Sequence, residues 1–235
     1  MKVLVFDDNE LHRKAAEMLL KGHDVKVAAT YDEAQEALAS HVNEAGAKLL
    51  LKEAGYPFNF DAWGADVTDE ARKKYFEASK TAYKAATIHP DFEVVMTDLM
   101  VPASRKTQGP KGMQFVGQEM PLGAIIALLA LTKGVKMVAV VTDANHHDHP
   151  ASAAFDAFGR NRMAPISNGV KILCTNSAMT SADAETFKKI PYEFFNTVEG
   201  KAKYPQQPDY SHKGIVHVKD WSVVLDALLG NIEID

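Results

Sequence analysis

Short apolar runs alternate along the chain with segments in which apolar residues recur at helical spacing. Residues 2–6 (KVLVF) form a short apolar, β-branched run without alternation, which predicts a strand buried on both faces. Asn9 then precedes residues 10–21, where apolar positions repeat every three or four residues and predict a helix. Residues 23–29 alternate like an edge strand, and a second helix is expected over residues 30–39.

The same kinds of pattern continue to the end of the sequence. Helices are predicted at about residues 47–54, 68–86, 121–133, 151–158 and 222–229, and strands at 92–97, 135–141, 170–174 and 214–219. Strands that alternate with helices are typical of a parallel sheet covered by helices. The sequence therefore predicts an α/β fold with a parallel sheet, in one enlarged domain or two small ones.

Composition narrows the classes of protein that fit this pattern. The chain is 46% hydrophobic and 24% charged, with a net charge of −5 and one cysteine, Cys174. A single cysteine excludes a disulfide scaffold and a cysteine-built zinc cage. No apolar run approaches the ~18 residues of a membrane span, and acidic residues come too early for a signal peptide. We therefore expect a cytoplasmic protein that binds neither membranes nor nucleic acids.

Residues that carry chemistry follow the predicted strands. Asp7 and Asp8 come after the first strand, Asp98 after the third and Thr142 after the fourth, and Lys219 ends the last one. Because ligands of parallel α/β sheets lie at the carboxyl ends of the strands, we expect these side chains to share one edge. Clustered carboxylates repel one another unless a cation neutralises them, and their oxygens suit Mg²⁺. A lysine and a hydroxyl beside them favour phosphoryl transfer.

Four segments of the chain resemble successive signatures of response-regulator receiver domains: VLVFDDNELHRKAAEMLL, EVVMTDLMVP, VAVVTDA and IVHVKDWSVVLDALL. The resemblance implies a single domain over residues 1–235, built on a doubly wound, flavodoxin-like parallel sheet of about five strands in the order 2-1-3-4-5. It implies an Mg²⁺ site of three carboxylates and one backbone carbonyl: Asp7, Asp8, Asp98 and Met100. It also implies that Asp98 accepts a phosphoryl group from a histidine kinase or phosphotransfer protein, with Thr142 and Lys219 contacting the phosphate.

The chain departs from the receiver pattern in several places. It is longer than a receiver core requires, and the excess falls into insertions at about residues 40–91, 103–120 and 150–213. Val216 stands where the family has a switch aromatic, which weakens the expected link between phosphorylation and output. Lys171 competes with Lys219 for the lysine role, although it lies near the start of its strand. We expect a stand-alone signalling protein whose downstream partner the sequence does not identify.

Other interpretations of the same residues stay open at this point. Asp7 and Asp8 could simply cap the following helix. The chain could be a pseudo-receiver that binds proteins without phosphorylation, or an Mg²⁺-dependent phosphohydrolase resembling the haloacid-dehalogenase family with Asp7 as nucleophile. That second family expects an aspartate where Asn9 stands. Enzymatic activity beyond self-phosphorylation and dephosphorylation is not expected.

One loop has an unusual composition. Residues 142–150 (TDANHHDHP) offer His146, His147 and His149, which are donors suited to a transition metal. Histidines so close in sequence need a bent loop to share an ion, and polar loops commonly follow strand ends. We interpret this segment as a solvated loop, with a contact to phosphate or metal as the alternative.

Overall fold

The computed structural model describes residues 1–59, 67–106, 108–143, 150–154, 157, 163–166, 169–175, 178–183 and 215–233. The strands are β1 (Lys2–Phe6), β2 (Asp24–Ala28), β3 (His41–Val42), β4 (Thr87–Ile88), β5 (Val94–Asp98), β6 (Val101–Pro102), β7 (Glu119–Met120), β8 (Met137–Val141), β9 (Met163–Ile166), β10 (Val170–Thr175), β11 (Met179–Asp183) and β12 (Ile215–Lys219). The helices are α1 (Glu10–Leu19), α2 (Tyr31–Ala37), α3 (Glu44–Glu53), α4 (Asp69–Ala85), α5 (Leu122–Thr132), α6 (Pro150–Ala153) and α7 (Trp221–Leu229), with a short 3₁₀ helix at Met113–Phe115.

The central sheet has six strands within the described residues, in the order β2-β1-β5-β8-β10-β9. The first five are parallel, and β9 extends the edge antiparallel to β10. Counted along the chain, the parallel strands have the order 2-1-3-4-5, so the predicted doubly wound α/β fold is confirmed. The strand β1, apolar and buried from Val3 to Phe6, is central, whereas the alternating β2 lies at the edge, as period-two burial predicts.

The fifth parallel strand is β10 and not the strand that ends at Lys219. β10 pairs with β8 along its length, whereas β12 pairs antiparallel with β11 in a separate two-stranded sheet. The strand predicted at residues 214–219 is therefore present as β12 but does not belong to the central sheet. Both segments are short β-branched apolar runs, and periodicity cannot rank two such runs as partners of the same strand.

Two faces of the sheet are covered by helices. Val3 and Val5 point to the face where α1 and α7 pack, together with the apolar residues of those two helices. Leu4 and Phe6 alternate with them and are also fully buried, on the face that α2 and α5 cover. The strand β1, which directly precedes Asp7 and Asp8, is thus held by apolar contacts from both sides. No helix among the described residues is long and apolar enough to cross a bilayer.

The chain divides into two compact units, one made of residues 1–37 and 91–235 and the other of residues 38–90. In the second unit α3 packs against α4, and the two-residue strands β3 and β4 pair antiparallel. Tyr75 donates a hydrogen bond to the carbonyl of Phe58 at 2.9 Å and contacts Tyr56 edge-to-face. The Lys48 ammonium lies 4.5 Å from the centre of the Phe58 ring. Aromatic packing therefore holds the helix pair together.

Candidate functional site

The acidic pair after β1 is held by the start of α1. Asp7 is fully buried, and its Oδ1 accepts the N–H of Asn9 at 2.9 Å. The Asn9 side chain caps α1 by accepting the N–H of Leu11 at 3.0 Å. From the next turn, Arg13 Nη1 donates to the backbone carbonyls of both Asp7 and Asp8 at 2.7 Å. The helix therefore fixes the backbone from which the two carboxylates project.

Asp98 ends β5 and lies at the same edge of the sheet. Its Oδ1 accepts the N–H of Leu99 at 2.7 Å, and its carbonyl accepts the Thr97 hydroxyl at 2.6 Å. Gly123, in the first turn of α5, packs so closely that a Cβ there would lie 1.5 Å from the Asp98 carbonyl oxygen. A glycine at this position is what allows the helix to approach the strand end.

Lys219 joins the two strand ends. Its ammonium lies 2.8 Å from Asp7 Oδ2 and 2.8 Å from Asp98 Oδ1, and its side chain is fully buried. Burial opposes the charge on the ammonium, but the nearby carboxylates, chiefly Asp7 and then Asp98, outweigh it and raise the pKa of Lys219 above its usual range. The Trp221 ring lies beside it, with 5.8 Å between the ammonium and the ring centre. The lysine is therefore a permanent positive charge inside the site.

The three carboxylates can share one cation. One ligand atom from each of Asp7, Asp8 and Asp98 lies within 4.8 Å of the others. Three carboxylates and the Lys219 ammonium leave two negative charges when all are ionised, which a divalent cation balances. Oxygen donors alone suit a hard cation such as Mg²⁺ better than a transition metal. The residues present therefore fit an Mg²⁺ site.

Burial and the charge of Asp7 raise the pKa of the other two acids of the site. Burial, followed by the charge of Asp7, raises the pKa of Asp8 to about 6, and Glu119 adds to the effect while Lys219 opposes it. Burial also raises the pKa of Asp98 well above its ordinary value, with Lys219 opposing and Asp7 adding. A cation bound between these carboxylates would favour their charged forms and so oppose both shifts.

Two further predicted residues lie on or next to the strands of the site. Thr142 is buried and follows β8 directly, one residue beyond Val141, which is the register partner of Asp98. Met100 is half-buried and lies two residues after Asp98, in the turn that follows β5. Lys171, the competitor for the lysine role, donates instead to the carbonyl of Leu228 in α7 at 2.8 Å. The structure thus brings Lys219, and not Lys171, to the carboxylates.

His12 contacts the site although the sequence reasoning did not select it. It is 1% exposed, and its Nε2 lies 3.1 Å from Asp143 Oδ2, while its Nδ1 accepts the backbone N–H of Lys219 at 3.3 Å. Burial opposes ionisation of Asp143, but the Lys219 charge and the hydrogen bond with His12 hold the pKa of its carboxyl below the usual range. A polar residue on the buried stripe of α1 was the available signal. His146, His147 and His149 lie outside the described residues.

The comparisons with known proteins give one solved structure. No family model and no curated protein matches the chain. The chain is similar to the crystal structure of the N-terminal domain of a response regulator/sensory box/GGDEF 3-domain protein from Carboxydothermus hydrogenoformans, at 14% identity. The match covers 76% of this chain and 83% of that one, with a TM-score of 0.29. The fold and the site therefore rest on the sheet order and the contacts described above.

Proposed function

We propose that the protein is a receiver-like signalling protein that binds Mg²⁺ and accepts a phosphoryl group on Asp98. A phosphohistidine of a histidine kinase or phosphotransfer protein is the proposed donor, and a downstream protein reads the phosphorylated state. One observation carries the proposal: Asp7, Asp8 and Asp98 have ligand atoms within 4.8 Å of one another, and Lys219 lies 2.8 Å from two of them. Carboxylates, a cation site and a buried ammonium are the parts that phosphoryl transfer to an aspartate requires.

The contacts of Asp98 support its role as the nucleophile. Its Oδ1 is held by the N–H of Leu99 and by Lys219, which leaves Oδ2 as the oxygen that forms the bond to phosphorus. As that bond forms, the bond from phosphorus to the donor imidazole nitrogen breaks, and the nitrogen takes the electron pair. The Lys219 ammonium and the Thr142 hydroxyl then donate to the phosphoryl oxygens. A bound Mg²⁺ supplies positive charge that neutralises the transferring group.

Asp7 is less suited to nucleophilic attack than Asp98. It is fully buried, and its two oxygens accept from different donors, Oδ1 from the Asn9 N–H and Oδ2 from Lys219. Asn9 carries an amide where a dehalogenase-like phosphohydrolase would have an aspartate, and its side chain caps α1, so no acid stands at that position. These contacts favour a ligand role for Asp7 and an acceptor role for Asp98.

The experiment is an amide NMR titration with Mg²⁺ followed by beryllofluoride, a mimic of the acyl phosphate. We expect Mg²⁺ alone to move the amides next to Asp7, Asp8 and Asp98, and beryllofluoride to move those around Thr142 and Lys219 as well. Asp98→Asn should abolish the second response, and the matched exposed control Asp91→Asn should keep it. An unchanged spectrum of the wild type around Asp98 would overturn the proposal.

Two other outcomes point to the alternative functions. Partner binding that is equal for the wild type and Asp98→Ala would identify a protein-binding module that works without phosphorylation. Turnover of an aryl phosphate that is lost in Asp7→Asn and kept in Asp98→Asn would identify a phosphohydrolase.

A further inference from the structure

The strand that carries Lys219 lacks the support that a central parallel strand would have. β8 pairs with β5 on one side and β10 on the other, so β12 has no place beside it. In the described residues β12 pairs with β11 alone, and its last residue lies opposite Met179, the first residue of β11. Lys219 nevertheless has to hold its ammonium between two carboxylates. Something other than the central sheet must therefore fix the backbone at this point.

His12 makes the contacts that fix it. The imidazole Nδ1 accepts the backbone N–H of Lys219 at 3.3 Å, and the His12 carbonyl accepts the indole N–H of Trp221 at 2.8 Å. Lys219 and Trp221, on either side of Asp220, are thus both hydrogen-bonded to His12 of α1. The N–H of Asp220 itself donates to the carbonyl of Ala178 at 2.9 Å. Because α1 packs on the central sheet, this connection places the end of β12 relative to the acidic pair.

The same ring reaches the strand end on the other side of the site. A neutral imidazole has one acceptor nitrogen and one donor nitrogen. Since Nδ1 accepts from Lys219, the proton lies on Nε2, which is 3.1 Å from Asp143 Oδ2. Asp143 directly follows Thr142, the residue proposed to hold the phosphoryl group. One tautomer of one buried ring therefore connects the lysine to the hydroxyl-bearing segment.

We propose that His12 is a positioning residue of the phosphoryl site, holding Lys219 through Nδ1 and the Thr142–Asp143 segment through Nε2. This proposal rests on the proposed function. His12 touches neither metal ligand oxygens nor the transferred group, so it acts through the two residues that do contact phosphate. Mg²⁺ binding, which needs the carboxylates, depends on His12 much less than binding of the phosphoryl group does.

The test compares two affinities in matched variants. Mg²⁺ affinity is measured by NMR titration, and beryllofluoride affinity is then measured at saturating Mg²⁺. Both are measured in the wild type and in four variants: His12→Phe, His12→Asn, Asp143→Ala and Asp143→Asn. His12→Phe removes both contacts of the ring, whereas His12→Asn keeps an amide oxygen as an acceptor near the position of Nδ1. Asp143→Asn keeps an acceptor for Nε2–H, and Asp143→Ala removes it.

We expect His12→Phe to weaken beryllofluoride binding by about tenfold and to change Mg²⁺ affinity by less than about threefold, since one to two hydrogen bonds of ordinary strength are lost. His12→Asn and Asp143→Asn should bind beryllofluoride nearly as tightly as the wild type does. Asp143→Ala should show a loss similar to that of His12→Phe. If His12→Phe fails to fold, the paired Asp143 variants decide. In the wild type without metal, long-range ¹H–¹⁵N spectra of the His12 ring should show the proton on Nε2.

The outcomes separate the two proposals. A wild type that ignores both Mg²⁺ and beryllofluoride overturns the proposed function. A wild type that responds, with His12→Phe or Asp143→Ala binding beryllofluoride equally well, overturns the role of His12 alone. A parallel loss of both affinities in the His12 variants also overturns it, because a general loss of structure would then explain the effect. A proton found on Nδ1 contradicts the contact on which the proposal is built.

Discussion

Replacing Asp8 with asparagine should stabilise the metal-free protein while removing its response to Mg²⁺. Asp8 is half-buried beside the buried Asp7, and its charge is unfavourable there in the absence of a cation. Asparagine keeps the shape of the side chain and removes the charge. The two effects have opposite signs, so a general disturbance of the fold would not produce both.

The size of the first effect follows from the pKa of Asp8. Its value rises from 3.8 in an ordinary setting to about 6 in the folded protein. Each pKa unit corresponds to about 1.4 kcal/mol, so the charged carboxylate lowers the free energy of unfolding by up to about 3 kcal/mol. Partial exposure to solvent reduces this figure, and we expect Asp8→Asn to gain about 1–3 kcal/mol at pH 7.5.

The same pKa shift fixes the direction in which the free energy of unfolding changes with pH. Between pH 3.8 and about 6 the folded state binds more protons at Asp8 than the unfolded state does, so this group makes the wild type less stable as the pH rises. The gap between Asp8→Asn and the wild type should therefore be small at pH 4.5 and large at pH 7.5. Urea denaturation in EDTA at the two pH values measures it, and Glu17→Gln, an exposed acid on α1, is the matched control.

Magnesium gives the second part of the prediction. A ligand that binds the folded state at ten times its Kd stabilises it by about 1.4 kcal/mol, and the wild type should gain this amount. Asp8→Asn should gain little, because one of three carboxylate ligands is missing. An Asp8→Asn protein that is less stable than the wild type in EDTA, or that gains as much from Mg²⁺, would refute the reasoning.

Three other changes test the structure around the site. Gly123→Ala should lower the free energy of unfolding by about 1–3 kcal/mol and weaken Mg²⁺ binding, because the new methyl group overlaps the Asp98 carbonyl. Urea and Mg²⁺ titrations measure both effects, and Gly109→Ala, where the space around the new methyl group is open, is the control. Lys219→Met should lower the free energy of unfolding by about 3–5 kcal/mol at neutral pH, because it leaves two buried carboxylates unpaired. Adding Asp98→Asn should restore part of that stability in urea denaturation, and equal stability of the wild type and Lys219→Met would contradict the prediction. Burial raises the pKa of Cys174 to about 12, so its alkylation should be on the order of a hundredfold slower in the native protein than in urea. Mass spectrometry measures the two rates, and similar rates would show that the end of β10 is accessible to solvent.

The parts of the site that could be predicted from the sequence are those that follow a buried strand directly. Asp7 and Asp8 come after β1, and Asp98 ends β5, so each position is fixed by a strong local pattern and by the geometry of parallel strands. Lys219 ends an apolar run just before a helix, and this local pattern is independent of the sheet to which its strand belongs.

The rest depends on contacts between distant parts of the chain. The choice between β10 and β12 as the fifth strand is decided by which segment can pair with β8, and both have the same apolar character. The contact of His12 with Lys219 joins residues 207 positions apart. A histidine on the buried stripe of a helix does not reveal, from sequence alone, which strand end lies next to it.

The short β3–β4 ladder has a consequence for how this chain could have been assembled. His41 pairs with Ile88 and Val42 with Thr87, so the two ends of the helical unit at residues 38–90 lie side by side. A segment whose two ends lie side by side can be removed or exchanged as a unit, because a very short connection can close the gap that it leaves. Shortening or replacing this segment should therefore leave α2 and β5 connected without stretching the chain between them.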